Sequence, residues 1–175
     1  TEDFNANWKF SLGDSPDRRE TQYDDSKWRT LNLPHDWSIE GDYTPNFPAG
    51  KNNGFFPEGL GWYRKKFTIP KEDANKQFVI QFDGVFMNSE VWINGKYLGR
   101  RPYGYSTFRY DLTDKLKFGG ENVIAVRVDN SNPGADRWYH GSGIYRNVHL
   151  IKTNYVHFRH NGGIYITTPI AEKHT

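Results

Sequence analysis

Hydrophobic and polar residues alternate in many short runs along this chain. In the run 76–83, Phe78, Ile80 and Phe82 occupy every second position. Side chains on a strand point alternately to opposite faces, so this spacing places three large apolar side chains on one face. The run 122–128 alternates in the same manner. Both runs are therefore predicted to be β-strands.

Turn-forming residues separate the runs. Asn94-Gly95 is a strong hairpin signal, because both central residues of a type I′ turn need positive φ, and it predicts pairing of 90–93 with 96–99. Residues 111–116 fit one helical turn. Further strands are predicted at 4–10, 28–33, 61–69, 87–93, 106–110, 143–152 and 162–168. About nine or ten short strands with almost no helical periodicity predict an all-β sandwich or jelly roll.

Two long segments interrupt the alternation. Residues 34–61 have little period and contain several prolines and glycines, and a loop of this length in a compact domain is usually functional or mobile. The second segment, 129–146, lies between two predicted strands. Loops on a rigid scaffold often carry function. The side chains of the second segment that suit ligand recognition are Asp136, Arg137, Trp138, Tyr139 and His140.

Composition excludes several classes of function. The 23 basic and 21 acidic residues are interspersed, and the net charge is only +2, so the clustered Lys and Arg of a nucleic-acid-binding protein are missing. No apolar run approaches the roughly 20 residues of a membrane helix. The chain has no Cys, which excludes disulfides and thiolate metal sites. We therefore expect neither a nucleic-acid nor a membrane partner.

A series of motifs, in order along nearly the whole chain, resembles the first part of glycoside hydrolase family 2 enzymes. They are LPHDWSIEG (33–41), GLGWYRKKF (59–67), DGV (83–85), VWING (91–95), GYSTF (104–108), DLT (111–113), NVIAVRVD (122–129) and GSGIYRNV (141–148). The resemblance implies an all-β, jelly-roll β-sandwich of the galactose-binding-domain type. It also implies the N-terminal sugar-binding domain of a β-galactosidase-like enzyme, an architecture shared with β-glucuronidase and β-mannosidase relatives.

The same resemblance implies a larger parent protein. In the family, an immunoglobulin-like domain and a catalytic TIM barrel follow this domain, and the barrel supplies the two glutamates of a retaining exo-β-glycosidase. We therefore expect a jelly roll at 1–152 and a connecting segment or the start of the immunoglobulin-like domain at 153–175. No catalytic residue is assigned to this chain. The expected partners are a β-galactoside and the missing C-terminal domains, in a periplasmic or extracellular compartment.

The resemblance also assigns substrate-binding roles in the second long segment. Asp136 stands where a family aspartate reaches the sugar site; otherwise it pairs with Arg137. Arg137 and His140 could donate to sugar hydroxyls or take part in local ion pairs. Trp138 could stack on a pyranose, although such residues more often anchor a loop. We assign these four residues to substrate binding.

Other readings stay open. The chain could be a stand-alone carbohydrate-binding module, or a structural or oligomerisation domain of a β-glucuronidase- or β-mannosidase-like parent, including a homo-oligomer. We assign no cofactor. We also assign no metal, because His157 and His160 would point to opposite faces of a strand. His35, Asp36 and Trp37 are expected to fix the first long segment by hydrogen bonds and burial. Trp92 is expected in a core or an interface.

Overall fold

The computed structural model describes residues 1–42, 44, 46, 55–131, 140–158 and 163–169. These residues form ten strands, four short 3₁₀ helices and no α-helix. The strands are β1 (Glu2–Asp3), β2 (Trp8–Leu12), β3 (Arg29–Leu31), β4 (Gly59–Thr68), β5 (Gln77–Phe82), β6 (Ser89–Ile93), β7 (Lys96–Arg101), β8 (Phe108–Asp111), β9 (Glu121–Asn130) and β10 (Val148–Thr153). The 3₁₀ helices are Pro16–Arg19, Trp37–Glu40, Lys71–Asn75 and Thr113–Lys115.

The strands pair into two antiparallel sheets that pack face to face. One sheet has the order β1-β10-β5-β8 and the other β3-β2-β4-β9-β6-β7. The longest pairing joins β4 and β9, from Gly59 opposite Asn130 to Thr68 opposite Glu121. The predicted all-β jelly-roll sandwich is confirmed.

Aromatic and aliphatic side chains from the two inner faces form the main core. Phe78, Ile80 and Phe82 all lie in it, as their alternation predicts, and Tyr63 and Val126 face them from the other sheet. Burial of such side chains is the main stabilising contribution to a fold of this kind.

A second, smaller cluster lies on the outer face of the six-stranded sheet. Trp62 and Trp92 stack with ring centroids 5.3 Å apart, and Trp28 packs beside them. Residues 14–28 lie against this face. Within this segment, Asp25 forms a 2.8 Å ion pair with the fully buried Arg64. Trp92 is therefore buried in a core, one of the two locations that the sequence predicted.

The predicted Asn94-Gly95 turn is confirmed, with φ of 51° and 76° at its two central residues. The hairpin pairs Ile93 with Lys96 and has a bulge between Val91 and Trp92. The helical turn predicted within 111–116 is also present, as the 3₁₀ helix Thr113–Lys115.

Two predicted strands begin too early, and a third has no strand in its described part. The first long strand begins at Trp8 rather than at residue 4, because Asn7 has a φ of 58° that ends extended pairing. β10 begins at Val148 rather than at Gly143, whose φ is 121°. The described part of the predicted strand 162–168 belongs to no strand. Its apolar residues Ile164 and Ile166 are exposed.

The sandwich ends near the predicted domain limit. β10 ends at Thr153, and the described residues after Asn154 are exposed. The assignment of 153–175 to a connecting segment or a following domain stays a prediction. Among the described residues, no helix has the length and apolar character needed to cross a membrane.

Candidate functional site

The two long segments meet at one end of the sandwich. Residues 142–144 lie between residues 35–37 and Phe86, and backbone hydrogen bonds join them on both sides. His35 N donates to Ile144 O (2.9 Å) and Trp37 N to Ser142 O (3.1 Å). Phe86 and Gly143 exchange two backbone hydrogen bonds of 2.9 and 2.8 Å. We call residues 35–38, 86 and 141–144 the loop junction.

Buried polar side chains reinforce the loop junction. Asp36 Oδ1 accepts hydrogen bonds from Ser38 N (2.9 Å) and Ser142 N (2.8 Å). The hydroxyls of Ser38 and Ser142 lie 2.7 Å apart, and Ser38 Oγ donates to Pro57 O (2.7 Å). Asn130 Nδ2, at the end of β9, donates to Ser142 Oγ (2.7 Å). Both ends of the second long segment are therefore connected to each other and to both ends of the first.

The proton positions in this network follow from which atoms can donate. The carbonyl of Pro57 only accepts, so the single hydroxyl proton of Ser38 lies on that bond. Ser142 must then supply the proton between the two hydroxyls, while its oxygen accepts from Asn130. Each hydroxyl donates once and accepts once, which satisfies these buried groups.

A second hydrogen-bonded chain supports the same junction from β4. His35 Nδ1 lies 2.6 Å from the Tyr63 hydroxyl, and His35 Nε2 lies 3.1 Å from Glu40 Oε1. The Tyr63 hydroxyl also has a backbone hydrogen bond from Ile144. His35 Nε2 faces both the Glu40 carboxylate and the Arg29 guanidinium, whose Nη2 lies 2.9 Å away. Arg29 completes the chain by donating to Glu40 Oε2 at 2.7 Å.

Burial determines the protonation states of His35 and Tyr63. Burial lowers the pKa of His35 below its ordinary value, although the neighbouring Glu40 carboxylate opposes the shift. Burial also raises the pKa of Tyr63 well above its ordinary value. Burial alone would raise the pKa of Glu40, but its hydrogen bond from Arg29 and the proximity of His35 lower it. Around neutral pH, His35 and Tyr63 are therefore neutral and Glu40 is ionised.

Close backbone approach fixes the position of Gly143. A Cβ atom built there would lie 2.2 Å from the Tyr63 hydroxyl and 2.8 Å from His35 O. With a φ of 121° as well, only glycine fits. Trp37 packs against the same glycine and stacks on Phe10, with ring centroids 5.7 Å apart.

His140 lies where the second long segment returns to the loop junction. Its ring stacks on Phe86, with centroids 5.0 Å apart and planes 12° apart. Its Nδ1 lies 2.5 Å from the Tyr105 hydroxyl. This contact connects the end of the second long segment to the Tyr105 side chain.

The other predicted site residues, Asp136, Arg137 and Trp138, lie outside the described residues, as do Tyr139 and His160. The substrate-binding roles of Asp136, Arg137, Trp138 and His140 stay predictions. The expected roles of His35, Asp36 and Trp37 in fixing the first segment are confirmed by their contacts. In the part of the chain that the structure describes, no group of three or more His, Asp or Glu side chains could hold a metal ion.

Sequence reasoning missed several residues of the site. They are Ser38, Tyr63, Tyr105 and Asn130. Ser38, Tyr63 and Tyr105 each lie in one of the sequence motifs, but a motif does not indicate which distant residue a side chain will contact. Ser142 lies in the motif GSGIYRNV, which gives no sign of its hydrogen bonds to Ser38 and Asn130.

Comparison with known proteins identifies the family of this chain. Residues 1–154 match the model for "Glycosyl hydrolases family 2, sugar binding domain". The chain belongs to this family. The resemblance carried by the sequence motifs is thereby confirmed.

Relatives of this glycosyl hydrolase family 2 domain differ in the activity they are named for. Beta-galactosidase BoGH2A of Bacteroides ovatus is 55% identical over 171 residues, covering 98% of this chain and 20% of that protein. A beta-glucuronidase of Formosa agariphila is 37% identical over 166 residues, covering 86% and 17%. A crystal structure of a beta-glycosidase from Bacteroides vulgatus has a TM-score of 0.84 at 52% identity, over 87% of this chain and 20% of that chain. The chain thus spans about a fifth of the length of these relatives.

Proposed function

We propose that this chain is the N-terminal, non-catalytic sugar-binding domain of a retaining exo-β-glycosidase. Its second long segment would contribute Asp136, Arg137, Trp138 and His140 to the pocket for the terminal sugar. The loop junction is the observation that supports this role most strongly. It connects Asn130, Ser142 and Ile144 of that segment to the buried Tyr63 and Ser38 through hydrogen bonds.

Rigid support of this kind suits a binding loop better than a solvated connection. Contacts with substrate hydroxyls need positions accurate to a fraction of an ångström, so the residues behind them must be fixed by packing and hydrogen bonds. In this proposal the acid/base and nucleophilic carboxylates come from a barrel outside this chain. The sandwich supports that barrel and completes its pocket.

A β-galactoside is the proposed substrate, and a β-glucuronide is the alternative. Relatives named for both activities match the chain over most of its length. Purified full-length protein that contains this chain should hydrolyse a 4-methylumbelliferyl β-galactoside faster than the matching β-glucuronide. Faster cleavage of the glucuronide would make a β-glucuronide the proposed substrate. Cleavage of neither would overturn the enzymatic role.

The second candidate function is a carbohydrate-binding module that acts without a barrel. The exposed rings of Tyr103 and Tyr105 favour it, because stand-alone modules need an accessible aromatic surface. Titration of the isolated chain with galactose and lactose, followed by NMR, distinguishes the two. Binding at millimolar or lower concentration, mapped to one aromatic face, would favour the module. Lack of binding would favour a pocket that two domains complete.

A further inference from the structure

Two exposed tyrosines extend outward from His140. Tyr103 is 61% exposed and Tyr105 46%, and their rings meet edge to face with centroids 5.7 Å apart. Tyr105 also packs on Phe86, at 5.4 Å, and Phe86 stacks on His140. The four rings form a continuous row that begins at the loop junction and ends in solvent.

The backbone beneath the two tyrosines is fixed. Gly104 lies so close to Phe86 that a Cβ atom there would be 2.3 Å from the Phe86 ring. The Tyr145 hydroxyl donates to Gly104 O at 3.0 Å. Arg101, at the end of β7, donates to Ser106 Oγ at 2.8 Å and so fixes the other side of the turn. The turn that carries the tyrosines is therefore ordered before any ligand binds.

An ordered tyrosine pair has the properties of a sugar-binding surface. Each ring offers a flat apolar face and a hydroxyl, and it loses little conformational entropy on binding. By contrast, the tryptophans on the outer face are covered, with Trp62 only 1% and Trp92 only 6% exposed. Tyr97 is 53% exposed but belongs to that outer face, where it packs on Trp92.

We propose that Tyr103 and Tyr105 bind the second sugar of an oligosaccharide whose terminal sugar lies beside His140. The second sugar would stack its apolar face on Tyr103, and the substrate would be at least a disaccharide. This inference rests on the proposed function, because it places the terminal sugar at the rim of the loop junction. We call the two residues the tyrosine platform.

The test uses the full-length protein and a pair of substrates that share a terminal sugar. β-Galactosyl fluoride carries a leaving group too small to reach the platform, and lactose carries a second sugar. If the glucuronide is the preferred substrate, β-glucuronosyl fluoride and a glucuronosyl-N-acetylglucosamine disaccharide replace them. Tyr103→Ala is compared with the control Tyr97→Ala, which removes an exposed tyrosine from the outer face.

The platform predicts that Tyr103→Ala raises the ratio of the disaccharide KM to the fluoride KM about three- to tenfold, as expected for the loss of one aromatic contact. Tyr97→Ala should leave this ratio at the wild-type value. A wild-type ratio in Tyr103→Ala would overturn the inference while leaving the proposed function intact. A lower Tm with equal losses on both substrates would also overturn it, since the tyrosines would then contact another domain.

Failure of the proposed function has a different signature, which is hydrolysis of neither fluoride. Saturation-transfer NMR of this chain with lactose and with the glucuronosyl disaccharide then tests sugar binding by the tyrosine platform independently of hydrolysis. Transfer to the second sugar that disappears in Tyr103→Ala would support the platform. Equal transfer in both proteins, or none in either, would reject it.

Discussion

The hydroxyl oxygens of Ser38 and Ser142 lie 2.7 Å apart in the interior, although 104 positions separate the two residues in the sequence. Ser38 is 1% exposed and Ser142 is fully buried. This contact connects the two long segments directly. It makes the geometry of the second segment depend on the folding of the first.

Removing the Ser142 hydroxyl should destabilise the chain. Ser142→Ala leaves Ser38 Oγ without a hydrogen-bond donor and removes one acceptor of Asn130 Nδ2. An unsatisfied buried polar group costs about 1–3 kcal/mol. Urea denaturation of the chain measures the loss. Ser26→Ala, at an exposed position, should change the free energy of unfolding by less than about 0.5 kcal/mol. Equal stability of the two variants would contradict the network.

Adding one methyl group at Gly143 should be much more damaging than adding one at Gly59. Both glycines have positive φ, 121° and 131°, so both substitutions strain the backbone. Only at Gly143 does the new Cβ meet Tyr63 and His35, whereas nothing lies within 4 Å at Gly59. Backbone strain costs about 1–3 kcal/mol and overpacking a further 1–3 kcal/mol or so. The difference between Gly143→Ala and Gly59→Ala in unfolding free energy isolates the steric contribution, and a difference near zero would disprove the close approach.

The ion pair between Arg64 and Asp25 should be essential to the outer-face cluster. Asp25→Ala removes the partner of a guanidinium whose side chain is 0% exposed, and breaking a buried pair in this manner costs about 3–5 kcal/mol. The surface pair of Lys66 and Glu121 serves as control, since Glu121→Ala should cost only about 0–1 kcal/mol. Chemical denaturation with tryptophan fluorescence follows both, because Trp28 and Trp62 belong to the cluster. Similar losses in both variants would show that the pair is not essential.

Stability should fall as the pH drops below the ordinary histidine range. His35 has a lowered pKa in the folded chain because it is buried, so the unfolded chain takes up the proton first. The stabilising contribution is complete above the unfolded pKa of about 6.5 and is lost as the pH falls from there toward the folded pKa. Urea midpoints at about pH 7.5 and 5.5 should therefore differ less in His35→Gln than in the wild type. His157→Gln, at an exposed position, should retain the wild-type difference, and an unchanged difference in His35→Gln would refute the assignment.

Local pattern identified most of the strands, but it did not predict the structure of the segments between them. The alternation of Phe78, Ile80 and Phe82 identified β5, since burial on one face leaves a direct mark on the sequence. Residues 143–147 also look extended, yet Gly143 forms one isolated bridge with Phe86 and then leaves regular pairing. The apolar residues Ile164 and Ile166 likewise imitate a strand, because a local run does not encode which neighbour would receive its hydrogen bonds.

The site was harder to predict because its contacts join distant positions. Asp36 accepts from Ser142, and His35 contacts Tyr63, over separations that no local spacing reveals. A serine gives no sign in the sequence that it will be buried. His140 was assigned to substrate binding because it stands in a segment dense with polar and aromatic residues, and that role stays a prediction.

The most direct test of the central claim is kcat/KM of the full-length protein with Asp136→Ala, measured on the preferred methylumbelliferyl glycoside. Asp114→Ala, an exposed aspartate in the 3₁₀ helix Thr113–Lys115, is the matched control. If the second long segment contributes to the terminal-sugar pocket, Asp136→Ala lowers kcat/KM at least about tenfold, because a charged hydrogen bond to the sugar is lost. Asp114→Ala should retain the wild-type value. A wild-type kcat/KM in Asp136→Ala, with an unchanged unfolding midpoint, would contradict the account and favour a structural role for the domain.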